Sequence, residues 1–278
     1  MTFNFKESSI TTIIQDFTGV YAEQPFMQGL RKTGGIFLDC TKIEGTDCYC
    51  DDEAQAELNK IMNNAVEAAS SGNLGIHFFD NGNYHYMSKL WTDRVQEPFD
   101  LVIFDHHPDM QPPRFEGILS CGGWVKEVLE QNKFVQNILL IGVADHLVDE
   151  IREALSQTDN EHILGRVQFI KESELRSLQD KILNSEFRNQ NYPIYISIDK
   201  DALSTNEAAT NWDQGSLTYE QLAETLRNLA ESRKILAIDI CGERARDMGF
   251  EDTAAADALN NALNEKLFHT LVGLHGIQ

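Results

Sequence analysis

Basic residues are scarce in this chain. Its 278 residues hold 23 Lys and Arg against 44 Asp and Glu, a formal net charge of −21. That deficit argues against a general nucleic-acid or anionic-membrane surface, since both are held by basic patches. It suits a cationic ligand, although acidity also serves plain solubility. Long apolar runs are missing too, and none approaches the roughly 18 residues that a membrane span needs. The opening segment, MTFNFKESSI, places no apolar stretch after a basic one, so no secretory leader is expected. Cysteine is sparse and odd in number: Cys40, Cys48, Cys50, Cys121 and Cys241. Such usage fits a reducing compartment, and a cytoplasmic location is the expectation. Cys48-Tyr49-Cys50 has no second Cys/His pair at zinc-finger spacing, so it reads as a loop entering a helix. Linkers, repeats and low-complexity runs are absent. With 42% hydrophobic residues, positions 1–278 read as one domain able to bury a full core.

What is present is alternation. Short apolar runs occur at 35–39, 74–79, 101–104, 138–142, 167–170, 194–198 and 235–240. Near-continuous apolar runs suit strands covered on both faces, as in a parallel sheet. Amphipathic helical patterns lie between most of them, at about 51–71, 123–132, 146–157, 173–184, 218–232 and 252–271. The first opens on acidic residues and stops at Gly72, and Thr218-Tyr-Glu-Gln221 has the form of a capping box. Strand–helix alternation means an α/β fold with a mostly parallel sheet, and ligands of such folds sit beyond the carboxyl ends of the strands.

Chemistry-bearing residues collect at those ends. Asp105-His-His-Pro-Asp109 follows the run at 101–104, and Asp105, His107 and Asp109 share parity, so an extended chain points them one way. Three such side chains converging beside an apolar strand desolvate and repel one another unless a cation joins them. Asp199-Lys-Asp201 follows 194–198 in the same manner, and the turn-rich Asp80-Asn-Gly-Asn-Tyr-His85 leaves His85 at the same edge. Pooled, four carboxylates and two imidazoles exceed one zinc tetrahedron. They suit two divalent ions, with manganese favoured over iron, nickel or zinc. Two ions about 3.5–4 Å apart can lower the pKa of one shared water and orient it, which implies hydrolysis.

Taken together, Gly82-Asn-Tyr-His85, Asp105-His-His-Pro-Asp109 and Ser197-Ile-Asp-Lys-Asp201 resemble, in order, three segments of the ureohydrolase family of arginase, agmatinase and formiminoglutamase. The similarity runs from about Gly75 to Glu243. It implies a three-layer αβα fold around about eight strands and two Mn2+ ions. His85, Asp105, Asp109 and Asp199 would hold one, and Asp105, His107, Asp199 and Asp201 the other. Asp109 would also accept a hydrogen bond from a hydroxide attacking a guanidinium carbon, giving an amine such as ornithine plus urea. Departures accompany the likeness. Tyr84 replaces an Asp behind His85, Ser204-Thr205 replaces an Asp-Pro, and no histidine stands near Ser120-Cys121, where arginases carry a proton shuttle. The family's guanidinium-anchoring Glu aligns with Gly242, so Glu243 would have to take that role through a one-residue shift, which Gly permits. His146 is a candidate for the missing shuttle. Asp145, Trp212 and Asp213 are candidates for gripping the substrate, the last two by ring face and charge. The stretch from Asp47 to Asp51 is a candidate contributor from the other side. The expected partner is a cationic guanidino compound or an arginine-containing peptide as in peptide arginases, with neither nucleic acid nor membrane, and a homo-oligomer is left open.

Other readings stand beside this one. Asp105-His106-His107 is also the signature string of DHH phosphoesterases, but their His-x-x-x-Asp-x-Asp segment precedes it, whereas Asp199-Lys-Asp201 follows. A haloacid-type phosphatase needs a Thr that Asp199-Lys-Asp-Ala-Leu203 lacks, and a deacetylase-like enzyme needs paired histidines not evident around His106-His107. Cleavage of another C–N bond, formimino or acyl-amide, and a non-catalytic metal-binding interaction protein complete the set.

Overall fold

A computed structural model of the chain describes residues 10–68, 75–112, 115, 117–156, 161–183, 185, 187, 191–244 and 253–275. Its strands are β1 (Thr12–Asp16), β2 (Ile36–Asp39), β3 (Tyr49–Cys50), β4 (Gly75–Phe79), β5 (Phe99–Phe104), β6 (Leu119–Ser120), β7 (Val135–Val143), β8 (Val167–Lys171), β9 (Ile194–Asp199) and β10 (Ile235–Cys241). Eight of them form one parallel sheet in the order β2-β1-β4-β10-β9-β5-β7-β8, while β3 and β6 pair antiparallel beside it.

Strand alternation divides the core into two halves. Ile13, Phe79, Leu101, Ile103, Ile138 and Leu140 face one buried cluster with the helices Asp52–Ala68, Met87–Thr92, Trp124–Gln131 and Asp145–Ser156. Ile14, Phe78, Val102, Phe104, Leu139 and Ile141 face the other, with Pro25–Lys32, Leu178–Leu183, Tyr219–Ser232 and Ala254–His275. Successive strand side chains point to opposite faces, so an apolar run of this kind is stable only with helices on both sides. The layers are αβα. Each fully buried Ile or Leu of the strands stabilises this sandwich by about 1.5–3 kcal/mol.

The capping box forms as read: Thr218 Oγ1 accepts from Gln221 N, and the Gln221 side chain accepts from Thr218 N. Two expectations need correcting. The segment Cys48–Cys50 is not plain loop, because Tyr49 and Cys50 pair with Ser120 and Leu119 before the helix at Asp52. β1 was not expected at all. Its sequence, Thr-Ile-Ile-Gln-Asp, buries Gln15 and Asp16, whose polarity hides a strand that is buried throughout. Gln15 Oε1 accepts from the Trp91 indole, and Asp16 accepts from Gly19 N, so the acceptor oxygens of both are engaged despite burial, while Gln15 Nε2 has no partner. The helix limits expected at Ser71–Gly72, Gln157, Asn184 and Asp252, and the strand start at Leu74, lie outside the described residues.

The four central strands, β4, β10, β9 and β5, end on one edge of the sheet. The chain passes from β4 to β5 over the space later filled by β10 and β9, which makes a topological switch point there.

Candidate metal centre

β4 stops at Asp80, whose positive φ of 54° turns the chain. The Asp80 carboxylate accepts from Phe17 N, Thr18 N and Thr18 Oγ1, tying this loop to the end of β1. Asn81 Oδ1 then accepts from Asn83 N and caps the single turn Gly82–Tyr84, which delivers His85 to the sheet edge. His85 Nδ1 lies 3.1 Å from Asp105 Oδ2, 3.0 Å from Asp109 Oδ2 and 3.6 Å from Asp199 Oδ2.

Proton order behind His85 is fixed by a buried chain. Ser88 Oγ donates to Asp239 Oδ2, and a hydroxyl has one proton to give. The 2.8 Å contact between the two serine hydroxyls therefore runs from Ser197 to Ser88. Ser197 in turn accepts from His85 Nε2, 2.9 Å away. A neutral His85 ring so held presents a lone pair at Nδ1 toward the carboxylates, the tautomer of a metal ligand. Tyr84, which stands in place of the family's Asp, instead stacks on Phe17 at 4.1 Å.

After β5, Asp105 Oδ1 accepts from His107 N at 2.6 Å and stands 3.6 Å from the ring nitrogen His107 Nδ1, while its Oδ2 faces His85, so one carboxylate lies between both imidazoles. His107 Nδ1 sits 2.9 Å from Asp201 Oδ2, and its Nε2 donates to Asp213 Oδ1 at 3.1 Å. Asp109 is pinned by the Trp124 indole, which donates to Oδ2 at 2.8 Å. Convergence here is not the strand alternation expected from parity. Asp109 has a positive φ of 47°, so a turn rather than an extended run brings it in. Likewise Asp199 Oδ1 caps the turn Lys200–Ala202 by accepting from Asp201 N, and Asp201 Oδ1 accepts from His106 N. The Asp-Lys-Asp pair meets through a cap.

Three overlapping groups result, each with its donor atoms within 4.8 Å of one another: His85, Asp105, Asp109; Asp105, His107, Asp201; and His85, Asp199, Cys241. Donors held about 2.0–2.3 Å from one ion, at right or tetrahedral angles, stand roughly 3.0–3.6 Å apart. The observed imidazole–carboxylate separations run from 2.9 to 3.6 Å. Asp105 Oδ2 is buried and makes no hydrogen bond. The donor set thus fits divalent cations, and without them it is electrostatically unfavourable. Burial, then the charges of Asp201 and Asp105, push the Asp199 carboxyl up to about 7. Burial and then Asp105 push Asp201 up to about 6. For His85 and His107 burial opposes the charged form, but hydrogen bonds to the neighbouring carboxylates win and raise both.

All four shifts are upward, so the folded metal-free protein binds more protons here than the unfolded chain does. The stability these groups confer is present at low pH and is lost as pH rises through about 6 for Asp201 and about 7 for Asp199. A bound cation would replace those protons. The gap in melting temperature between metal-loaded and metal-free protein is therefore expected to widen steadily from pH 5.5 to pH 8. Scanning fluorimetry with and without chelator measures it, and a gap independent of pH contradicts the account.

Above the donors opens a cavity of about 710 Å³, walled by Tyr49, Pro108, Pro112, Leu147, Ile151 and Trp212. Ser120 and Cys121 also line it, as does Cys48 from the 47–51 stretch. Trp212 is held over Gly82 by its indole, which donates to Asn83 Oδ1, and a Cβ on Gly82 would meet that ring at 2.8 Å. Asn83 is steadied in turn by donating to Asp47 Oδ1.

Four expected substrate or shuttle residues are placed elsewhere. Glu243 is fully buried and turned away from the cavity, since Gly242 takes a φ of +93°. Its carboxylate is bound by Lys200 Nζ, Gln24 Nε2 and Asn264 Nδ2, which leaves nothing to anchor a guanidinium. A Cβ at Gly242 would meet Asp199 Oδ1 at 2.4 Å, so no side chain can stand there either. His146 is exposed, because the helix Asp145–Ser156 turns Leu147, Glu150, Ile151 and Ala154 to the cavity at 3- and 4-residue spacing. Asp145 is occupied by Ser173, whose N and Oγ donate to it. Asp213 is largely exposed and holds His107 from behind instead of lining the cavity. Sequence reasoning missed Glu150, which needed the helical face, and Cys241, which passed as the apolar end of a strand.

A parallel three-layer sheet with a histidine–carboxylate donor cluster at its central strand ends defines an α/β protein suited to a pair of divalent cations. Residues 38–257 match the model of the arginase family, and the chain belongs to that family. An uncharacterized protein of Thermotoga maritima is 29% identical over 231 residues, covering 83% of this chain and 78% of the relative. Proclavaminate amidino hydrolase from Streptomyces clavuligerus superposes with a TM-score of 0.63 at 16% identity, over 95% of this chain and 92% of that one. Formimidoylglutamase from Bacillus subtilis gives 0.63 at 14% identity, over 96% and 88%. At such identities the structural likeness is one of fold. The Asp105-His106-His107 string belongs to this family context, not to a phosphoesterase. Among the described residues, no helix is long and apolar enough to cross a membrane.

Proposed function

We propose that the chain is a binuclear-metal hydrolase that cleaves the guanidino group of an arginine-type substrate, arginine within a peptide being favoured, to ornithine and urea. The observation that carries the reading is the convergence of Asp105, His107, Asp109, Asp199 and Asp201 on the wall of one cavity, with His85 buried directly behind them within reach of Asp105, Asp109 and Asp199. Two divalent cations held there, proposed as Mn2+, supply Lewis acidity and a nucleophile drawn from water at neutral pH. Asp109, fixed through Oδ2 by Trp124, keeps Oδ1 as acceptor for a proton from that nucleophile. His85 and His107 are held in orientation by Ser197 and Asp213. Trp212 offers its ring face to a planar cation, and Glu150 adds a negative charge to the wall. With Glu243 withdrawn, these two replace the carboxylate anchor. The apolar wall of Tyr49, Pro108, Pro112, Leu147 and Ile151 favours a substrate with more body than free arginine.

Manganese-loaded protein incubated with arginine, agmatine, guanidinobutyrate, formiminoglutamate and arginyl peptides tests this, with urea and peptide mass as readouts. Urea release from peptides above that from free arginine is expected. Turnover of free arginine alone removes the peptide reading, and no urea from any guanidino compound removes the activity. Trp212→Ala is expected to raise KM by about 5-fold, the worth of roughly 1 kcal/mol of cation–π contact, with kcat less affected. Steady-state kinetics on the best substrate checks the split.

A further inference from the structure

We propose that Cys241 Sγ is a direct ligand of the cation beside His85, so that the two metal positions of this centre differ in kind. The assignment rests on the divalent-cation reading above. It starts from register: β10 runs parallel to β9 with Asp239 opposite Ser197 and Cys241 opposite Asp199. Asp239 and Cys241 therefore share a face of the pleat. Asp239 anchors the serine chain behind His85, and Cys241, one step along the strand, reaches the donor groups themselves. Its Sγ is 3.2 Å from Asp199 Oδ2 and forms one compact group with that carboxylate and His85. A sulfur and an oxygen bound to one ion at about 2.3 and 2.1 Å stand roughly 3.1–3.6 Å apart.

Space filling does not account for this side chain. Cys241 is buried, and its Sγ is turned to the Asp199 carboxylate, to which the thiol donates, so the sulfur is aimed at the donor groups and not merely into the apolar core. A second observation points the same way. Asp105 Oδ2, 1% exposed as a residue, is without a hydrogen bond and faces, at 3.1 Å, the same His85 Nδ1 that stands 3.6 Å from Asp199 Oδ2. Gly242 is part of the arrangement, since any side chain there would strike Asp199 Oδ1. On coordination the Sγ–H bond breaks, its proton passes to solvent, and the sulfur lone pair forms the bond to the cation, with no change of oxidation state.

The other group, Asp105, His107 and Asp201, contains no sulfur. A soft donor on one side only biases that position toward zinc, cobalt or iron and leaves the other to harder ions such as manganese. Mn2+ can fill both positions, but the one beside His85 is expected to prefer a softer ion and the other is not.

Metal-free full-length protein titrated with Co2+ tests the assignment. Expected are two bound Co2+ per chain by metal analysis and a near-ultraviolet sulfur-to-cobalt charge-transfer band. Cys241→Ser should keep the stoichiometry, lose the band, and bind Zn2+ about 10-fold or more weakly while Mn2+ binding changes far less. Cys48→Ser and Cys121→Ser, which alter the thiols that line the cavity, should leave the band intact. Bound Co2+ without the band, or a band that survives in Cys241→Ser, overturns the ligand assignment alone. Absence of bound Co2+ overturns the divalent-cation reading beneath it. Should Cys241→Ser fail to fold, X-ray absorption on zinc-loaded wild type decides, a sulfur neighbour at about 2.3 Å being required.

Discussion

Asp105→Asn is expected to empty both metal positions and to lower hydrolysis by on the order of 10³-fold or more. Metal-ion stabilisation of the reacting group is worth several kcal/mol, and each 1.36 kcal/mol is about tenfold in rate. The size of the effect follows from where the residue stands. Its Oδ1 accepts from the His107 backbone and its Oδ2 faces His85, so it belongs to both the His85–Asp109 and the His107–Asp201 donor groups. Asparagine keeps the Oδ1 acceptor and hence the turn, while it removes the charge and one donor atom. The loss therefore reports on cation binding, not on folding. Asp213→Ala makes the contrast. That carboxylate reaches the far nitrogen of His107 and, at 3.9 Å, His106 Nε2, but no other member of the donor groups, and its removal is expected to weaken one position by about 10–100-fold and spare the other. Metal analysis after dialysis, beside melting temperature, reads both variants. Full occupancy and activity within tenfold in Asp105→Asn would show that the two groups do not share a ligand.

The contrast between these residues also explains what was legible in the sequence. Asp105 and Asp199 stand at the ends of β5 and β9, and a charged residue that ends a buried apolar run must be met by hydrogen bonds, as Asp16 and Asp80 are, or by a cation. Strand ends are fixed by hydrophobic burial, so residues at those ends can be located without knowing any side-chain direction. Direction is what failed elsewhere. Glu243 also follows a strand, but a positive φ at Gly242 sends its carboxylate to the opposite side of the sheet edge. His146 lies next to the cavity in sequence, yet the period of its helix gives the wall to Leu147 and Ile151. Parity arguments reached the right convergence at Asp109 and Asp201 by the wrong route, since both arrive through turns. β1 escaped notice because Gln15 is buried against a partner far away in the chain, the Trp91 indole that donates to its Oε1. Tertiary partners of that kind leave no local trace.

Lys200→Met is expected to cost about 3–5 kcal/mol of stability, the usual penalty for stripping one partner from a buried ion pair. Lys200 sits between two cavity carboxylates in sequence, but its side chain is fully buried and reaches Glu243 and Asn264 on the side away from the cavity. Without it, Glu243 retains only the neutral donors Gln24 and Asn264 and carries an uncompensated charge in a dry interior. For a chain of this size the loss corresponds to a fall in melting temperature of about 10 °C. Adding Glu243→Gln removes the orphaned charge, and the double variant should recover at least half of that fall. Glu243→Gln alone separates the two roles open to this residue. As the buried partner of Lys200 it lowers stability by leaving the ammonium unpaired and changes KM little. As a substrate anchor it would raise KM and leave the melting temperature untouched. The hydrogen bonds from three directions around its carboxylate favour the first outcome, and a selective rise in KM at constant stability would return Glu243 to the cavity.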